Sequence, residues 1–116
     1  MTVPDAENGP VDLTALAADL LGRAAAAGAR RAAHTLAHPI DGLRQTVIAL
    51  LAGVDLGEHE SPGPASLQVL QGTVRVLAGN GGTALRAGEI APVPMGRHGL
   101  HADEDSVVLL SVAVDV

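Results

Sequence analysis

The chain has no cysteine, no phenylalanine, tyrosine or tryptophan, and no lysine; its seven basic residues are all arginine. Each absence removes a class of function. Without cysteine there is no disulfide, no thiolate nucleophile and no thiolate-held zinc or iron–sulfur cluster. Without aromatic rings there is no platform on which a single-stranded base, or a sugar, can stack. A formal net charge of −6 leaves no cationic surface for a phosphate backbone, so no nucleic-acid partner is expected. No apolar run approaches the ~20 residues of a membrane span. The opening MTVPDAENGP is acidic and polar, unlike a signal peptide, so the expected location is cytoplasmic, with no membrane partner. The bias to Ala, Gly, Val and Arg reflects a GC-rich genome and says nothing about function.

What is present points to one domain. A chain of 116 residues with 47% hydrophobic residues can bury roughly two-thirds of its unfolded surface around one core. That core has to be built from Leu, Val, Ile and Ala. Residues 1–11 read as a frayed tail, with Pro4, Asn8, Gly9 and Pro10 and little to bury. Residues 12–28 read as one amphipathic helix. Asp12 is its N-cap, Leu13, Leu16, Ala17, Leu20, Leu21 and Ala24 recur at helical spacing, and Gly28 stops it. The leucine stripe is expected to pack on the rest of the domain or on a partner chain.

Residues 29–116 change period. Short apolar runs alternate with turn signals, which predicts strands at 30–36, 43–51, 54–58, 66–70, 73–78, 83–86, 90–93, 98–101 and 106–114. The sharpest breaks are His38-Pro39-Ile40-Asp41-Gly42, Ala52-Gly53, Gln71-Gly72, Gly79-Asn80-Gly81-Gly82, Gly88-Glu89 and Pro94-Met95-Gly96. Nine short strands at this spacing imply an antiparallel sandwich or barrel.

Three pieces of this run resemble the small single-domain cupins, whose fold is an all-β antiparallel jelly-roll barrel. Gly53, five residues, His59 and then Val69-Leu70-Gln71-Gly72 are similar to the first cupin motif. Gly88-Glu89 followed by Pro94-Met95-Gly96-Arg97-His98 is similar to the second. A short glycine-tipped hairpin, Thr73 to Ala87, lies between them. The fold class expected is therefore a jelly-roll cupin barrel preceded by one N-terminal α-helix. In metal-binding cupins the first motif supplies two His and a carboxylate and the second one His. Carried over residue by residue, His59 matches the first His, Ser61 stands where the second would be, Ala65 takes the carboxylate's position, and His98 matches the second-motif His.

Two ligands of four make a degenerate metal site. A divalent metal on His59 and His98 is the cofactor the resemblance allows, but no bound cofactor is expected, because protein metal sites use three or four ligands. Glu58 and Glu60 flank His59 and, in a regular strand, point to the opposite face, as does His101 relative to His98 and Arg97 relative to its neighbour. His34, His38 and His101 read as surface or turn residues. His59 and His98, on separate motif strands, are expected to meet inside the barrel.

Three readings of function follow. The first is a small-molecule-binding barrel with His59, Ser61 and His98 as polar anchors in an apolar pocket. The second is a metal-dependent cupin enzyme, dioxygenase- or isomerase-like, with His59 and His98 among the ligands. The third is a structural or regulatory module that self-associates, and a homodimer is expected from the habit of small cupins. No catalytic residue is identified, since His59 and Ser61 at i, i+2 are strand neighbours whatever the function. Whether the protein is an enzyme is left open by the sequence.

Overall fold

The computed structural model describes residues 9–37, 40–60, 63–79 and 81–114. One helix, α1 (Leu13–Ala26), precedes nine strands: β1 (Arg31–Thr35), β2 (Leu43–Leu50), β3 (Asp55–Glu60), β4 (Ala65–Gln71), β5 (Thr73–Ala78), β6 (Gly81–Arg86), β7 (Ile90–Pro92), β8 (Arg97–Ala102) and β9 (Ser106–Ala113). All nine sequence-predicted strands are present. The boundaries differ most at β3, which runs on to Glu60, and at β6, which starts at Gly81 and so tightens the glycine-rich hairpin. Met1–Asn8 of the expected tail, the turn residues His38 and Pro39, Ser61 and the hairpin-tip Asn80 lie outside the described residues.

The helix starts where its chemistry allows. The Asp12 carboxylate accepts from the Ala15 N–H at 3.0 Å, satisfying one of the donors that the first turn leaves orphaned. Asp19 and Arg23 pair at i, i+4 on the exposed side, at 2.9 Å. The opposite face, Leu16, Ala17, Leu20 and Ala24, is buried against Val47 and Ala49 of β2, Leu51 and Val107 of β9. The leucine stripe is thus used within the chain, which withdraws it as a surface for a second copy.

The strands form two antiparallel sheets, β1-β2-β9-β4-β7 and β3-β8-β5-β6. β2 shows how one strand serves two layers. Its odd residues Val47 and Ala49 turn outward to α1, and its even residues Ile48 and Leu50 turn inward to the barrel. The barrel core between the sheets is entirely aliphatic, with Leu50, Val69, Val74, Ala102 and Val108 at zero exposure. Dispersion and burial among branched side chains replace the aromatic packing that the composition rules out.

The chain passes from one sheet to the other at Gly72, between β4 and β5. Its φ of +86° is open to glycine at no steric cost, and a Cβ there would lie 2.2 Å from Ser106 Oγ and 2.4 Å from the Asp105 carbonyl oxygen. Ser106 is fully buried; its hydroxyl accepts from Thr73 N–H at 3.1 Å and donates to Glu104 O at 2.7 Å. Both backbone groups at this corner are satisfied by one side chain.

Candidate functional site

β3 and β8 are paired neighbours in the smaller sheet, and they bring the two motif histidines together. Register runs Asp55↔His101 and Leu56↔Leu100, then resumes at His59↔His98 and Glu60↔Arg97. Between Leu56 and His59 β3 takes three steps where β8 takes two, so the strand carries a bulge at Gly57 and Glu58. This irregularity decides what enters the barrel. Counting by twos from Leu56 on a regular strand would bring Glu58 to the inner face. The extra residue brings His59 instead and leaves Glu58 outside, where its carboxylate lies 3.6 Å from Arg97 Nε. The sequence signal for it was Gly57 inside a strand, which regular alternation overlooked.

The two imidazoles face each other with ring centroids 4.6 Å apart and planes inclined at 56°. His98 is buried at 5% exposure, whereas His59 is exposed at the rim. They meet as expected, at the mouth of the barrel, because β3 is the edge strand of its sheet. Each Nδ1 is held by the backbone two residues earlier, His59 by Gly57 O at 3.0 Å and His98 by Gly96 O at 3.2 Å. A carbonyl oxygen only accepts, so each Nδ1 carries the proton and donates it. In the neutral ring that leaves Nε2 of both histidines as the atom with a free lone pair.

Beneath the pair lies a cavity of about 70 Å³ lined by Ile48, Leu56, Leu67, Val93, Leu100 and Leu110, with His59, His98 and Gly99 completing the wall. No acidic side chain contributes to it. Ala65, at the position where a metal-binding cupin carries its carboxylate, packs its methyl group against the barrel core.

The remaining candidates are dispersed. His101 faces out, as alternation from His98 requires, and engages Asp55 and Asp103; Asp103 in turn pairs with Arg75 at 3.1 Å. His34 is in register with Val47, on the face that β2 turns to α1. Ser61 lies outside the described residues. Among the described residues no group of three or more His, Asp or Glu side chains is arranged to hold a metal ion. The donor set is two imidazole nitrogens in an aliphatic wall, which does not fit a divalent ion needing three or four protein ligands. No helix among the described residues is long and apolar enough to cross a membrane.

No family model and no curated protein matches the sequence. Solved structures do match the architecture. A conserved protein of unknown function from Streptococcus pyogenes superposes with a TM-score of 0.67 at 27% identity, over 78% of this chain and 79% of that one. A cupin superfamily protein from Desulfitobacterium hafniense gives 0.71 at 18% identity over 99% of both chains. A salicylate 1,2-dioxygenase from Pseudaminobacter salicylatoxidans gives 0.74 at 19% identity, over 85% of this chain but 33% of that enzyme. Identities this low carry architecture and leave chemistry to each protein's own side chains. On that architecture the chain has the fold of the small single-domain cupins.

Proposed function

We propose that this protein is a small-molecule-binding barrel that takes a compact, mainly aliphatic ligand in the cavity below His59 and His98. The observation that carries the reading is the chemistry of the cavity wall. Six aliphatic side chains surround two imidazoles whose Nδ1 protons are already engaged and whose Nε2 lone pairs are free. Ligand sites combine apolar walls with a few convergent polar groups in this way. An acceptor left unmet in such a wall costs ~1–3 kcal/mol, so a ligand hydroxyl donating to Nε2 of His98 gains more than an alkane of equal size. Ser61, from its position in the motif, is the third anchor we propose.

The metal-enzyme reading has two donors and no third among the described residues, which ranks it second. The size of the cavity restricts the ligand to a few heavy atoms beyond the imidazoles. The test is titration of uniformly labelled protein with 1-pentanol, read by NMR on the backbone amides and on the imidazole nitrogens. Saturable shifts centred on Leu56, His59, His98 and Leu100 are expected, with the His98 Nε2 signal moving most, and His98→Ala should abolish saturation. Linear, non-saturating shifts, or saturation elsewhere on the surface, would reject the pocket.

A further inference from the structure

We infer that the ligand carries a carboxylate as well as the hydroxyl that donates to His98, making it a short aliphatic hydroxycarboxylate, and that Arg44 is the residue that selects its charged end. This inference rests on the proposed pocket and adds a specificity residue to it.

Arg44 belongs to β2, whose even residues face the barrel: Ile48 lines the cavity, Leu50 is in the core, and the strand pairs with β1 and β9 without a register shift. Alternation therefore turns Thr46 and Arg44 to the same inner face. The rows across the larger sheet agree. Thr46 is in register with Leu110, which pairs with Leu67; Arg44 is in register with Val112, which pairs with Ala65. Ala65 begins β4 directly after β3 has ended at Glu60, so the Arg44–Val112–Ala65 row lies at the same end of the barrel as His59 and His98. One mouth is thus flanked by the imidazole pair on the smaller sheet and by Arg44 on the larger.

Arg44 also differs from the other arginines. Arg23, Arg75 and Arg97 are in ion pairs, and Arg31 donates to Asp55 O. Arg44 is exposed and, among the described residues, its guanidinium has no ion pair and no hydrogen bond. Of the remaining two, Arg30 sits in the turn before β1, and Arg86 alternates with the buried Leu85 and so faces outward.

Among the described residues no acidic side chain lines the cavity. The β3 bulge keeps Glu58 outside, where Arg97 neutralises it, and Ala65 stands at the carboxylate position. An unpaired guanidinium presents a planar fork of donors matched to a carboxylate. Four residue steps of β2 separate Arg44 from Ile48, about 13 Å along the strand, a span that the arginine side chain and a short acyl chain cover together. The net charge of −6 opposes anion entry weakly, because at physiological salt charges beyond about 8 Å are screened; the local cation decides.

The test compares pentanoate with pentanamide and 1-pentanol, isosteres that differ in the head group, by calorimetry and NMR on the full chain. Pentanoate is expected to bind at least tenfold more tightly than pentanamide, with a preference that shrinks as salt rises. Arg44→Gln should erase the difference while leaving 1-pentanol binding intact, and Arg86→Gln, on the outer face, should leave the preference unchanged. Unaltered far-UV circular dichroism and melting temperature establish that Arg44→Gln is folded. Saturable 1-pentanol binding with no preference for pentanoate would overturn this inference and leave the pocket standing. A preference that survives Arg44→Gln would also overturn it. Failure of all three probes to saturate would remove the pocket and this inference together.

Discussion

Replacing Gly72 by alanine should be the most damaging single-methyl change in the barrel, and its cost can be divided in two. The first part is conformational. The φ of +86° is disfavoured for an L residue by roughly 1–2 kcal/mol. The second part is steric: the new Cβ would lie 2.2 Å from Ser106 Oγ, 2.4 Å from Asp105 O and 2.8 Å from Ser106 Cα. Two of these are backbone atoms, so no side-chain rotation relieves the clash, and overpacking of this kind costs about 1–3 kcal/mol. Displacing Ser106 would also unmake the bond its hydroxyl accepts from Thr73 N–H. The sum is roughly 2–5 kcal/mol. Gly88 isolates the first part, because its φ is +90° and a Cβ there meets nothing within 4 Å. Urea unfolding followed by far-UV circular dichroism, needed because the chain has no tryptophan, should show Gly72→Ala less stable than Gly88→Ala by about 1–3 kcal/mol at equal m-value. Equal destabilisation of the two variants would refute the argument that the sheet-to-sheet corner is a close-packed contact.

Leu20, at zero exposure between α1 and the larger sheet, should cost about 2–5 kcal/mol on truncation to alanine; a loss below 1 kcal/mol in the same unfolding assay would mean that α1 is not part of the cooperative unit. Asp12→Ala removes the carboxylate that accepts from Ala15 N–H and should cost about 0.5–2 kcal/mol, with Asp12→Asn close to wild type, both read from melting curves. Protein prepared without a nickel column and incubated with Zn²⁺, Mn²⁺ or Fe²⁺ should retain well under one equivalent after desalting, measured by elemental analysis. A full equivalent that disappears in both His59→Ala and His98→Ala would instead restore the metal-enzyme reading.

The parts of this fold that depend on local pattern were legible before any coordinates. Asp12 and the i, i+3, i+4 leucines named the helix, glycines and prolines punctuated the strands, and Gly72 and Gly88 marked tight turns, at which the structure has positive φ. The match of His59 and His98 to motif positions foretold their meeting across β3 and β8. Two features were hidden for different physical reasons. The bulge at Gly57–Glu58 is a departure from period two, so an alternation count cannot detect it; only pairing with β8 reveals the extra step. Arg44 was hidden because one long strand, Leu43–Leu50, carries two apolar faces. Val47 and Ala49 serve α1 while Ile48 and Leu50 serve the barrel, and with both faces apolar the sequence gives no clue to which side a terminal arginine joins.

The bulge and Ala65 together shape the mouth of this barrel among the described residues. A cupin metal centre draws on a carboxylate among its ligands, and here both routes by which one could enter are closed. The motif position is a methyl group, and the neighbouring Glu58, which regular pairing would bring inward, is kept outside by a single extra residue. What remains is two imidazoles tied by their Nδ1 protons to Gly57 O and Gly96 O, facing an aliphatic cavity. Electrostatically that mouth is neutral to positive, the reverse of a site built to hold a dication. On the proposed function, the same two histidines that elsewhere in the fold family would be metal ligands serve as hydrogen-bonding groups for an organic guest. On the inference drawn above, Arg44, which has no acid to pair with among the described residues, is then what would distinguish an anionic guest from a neutral one.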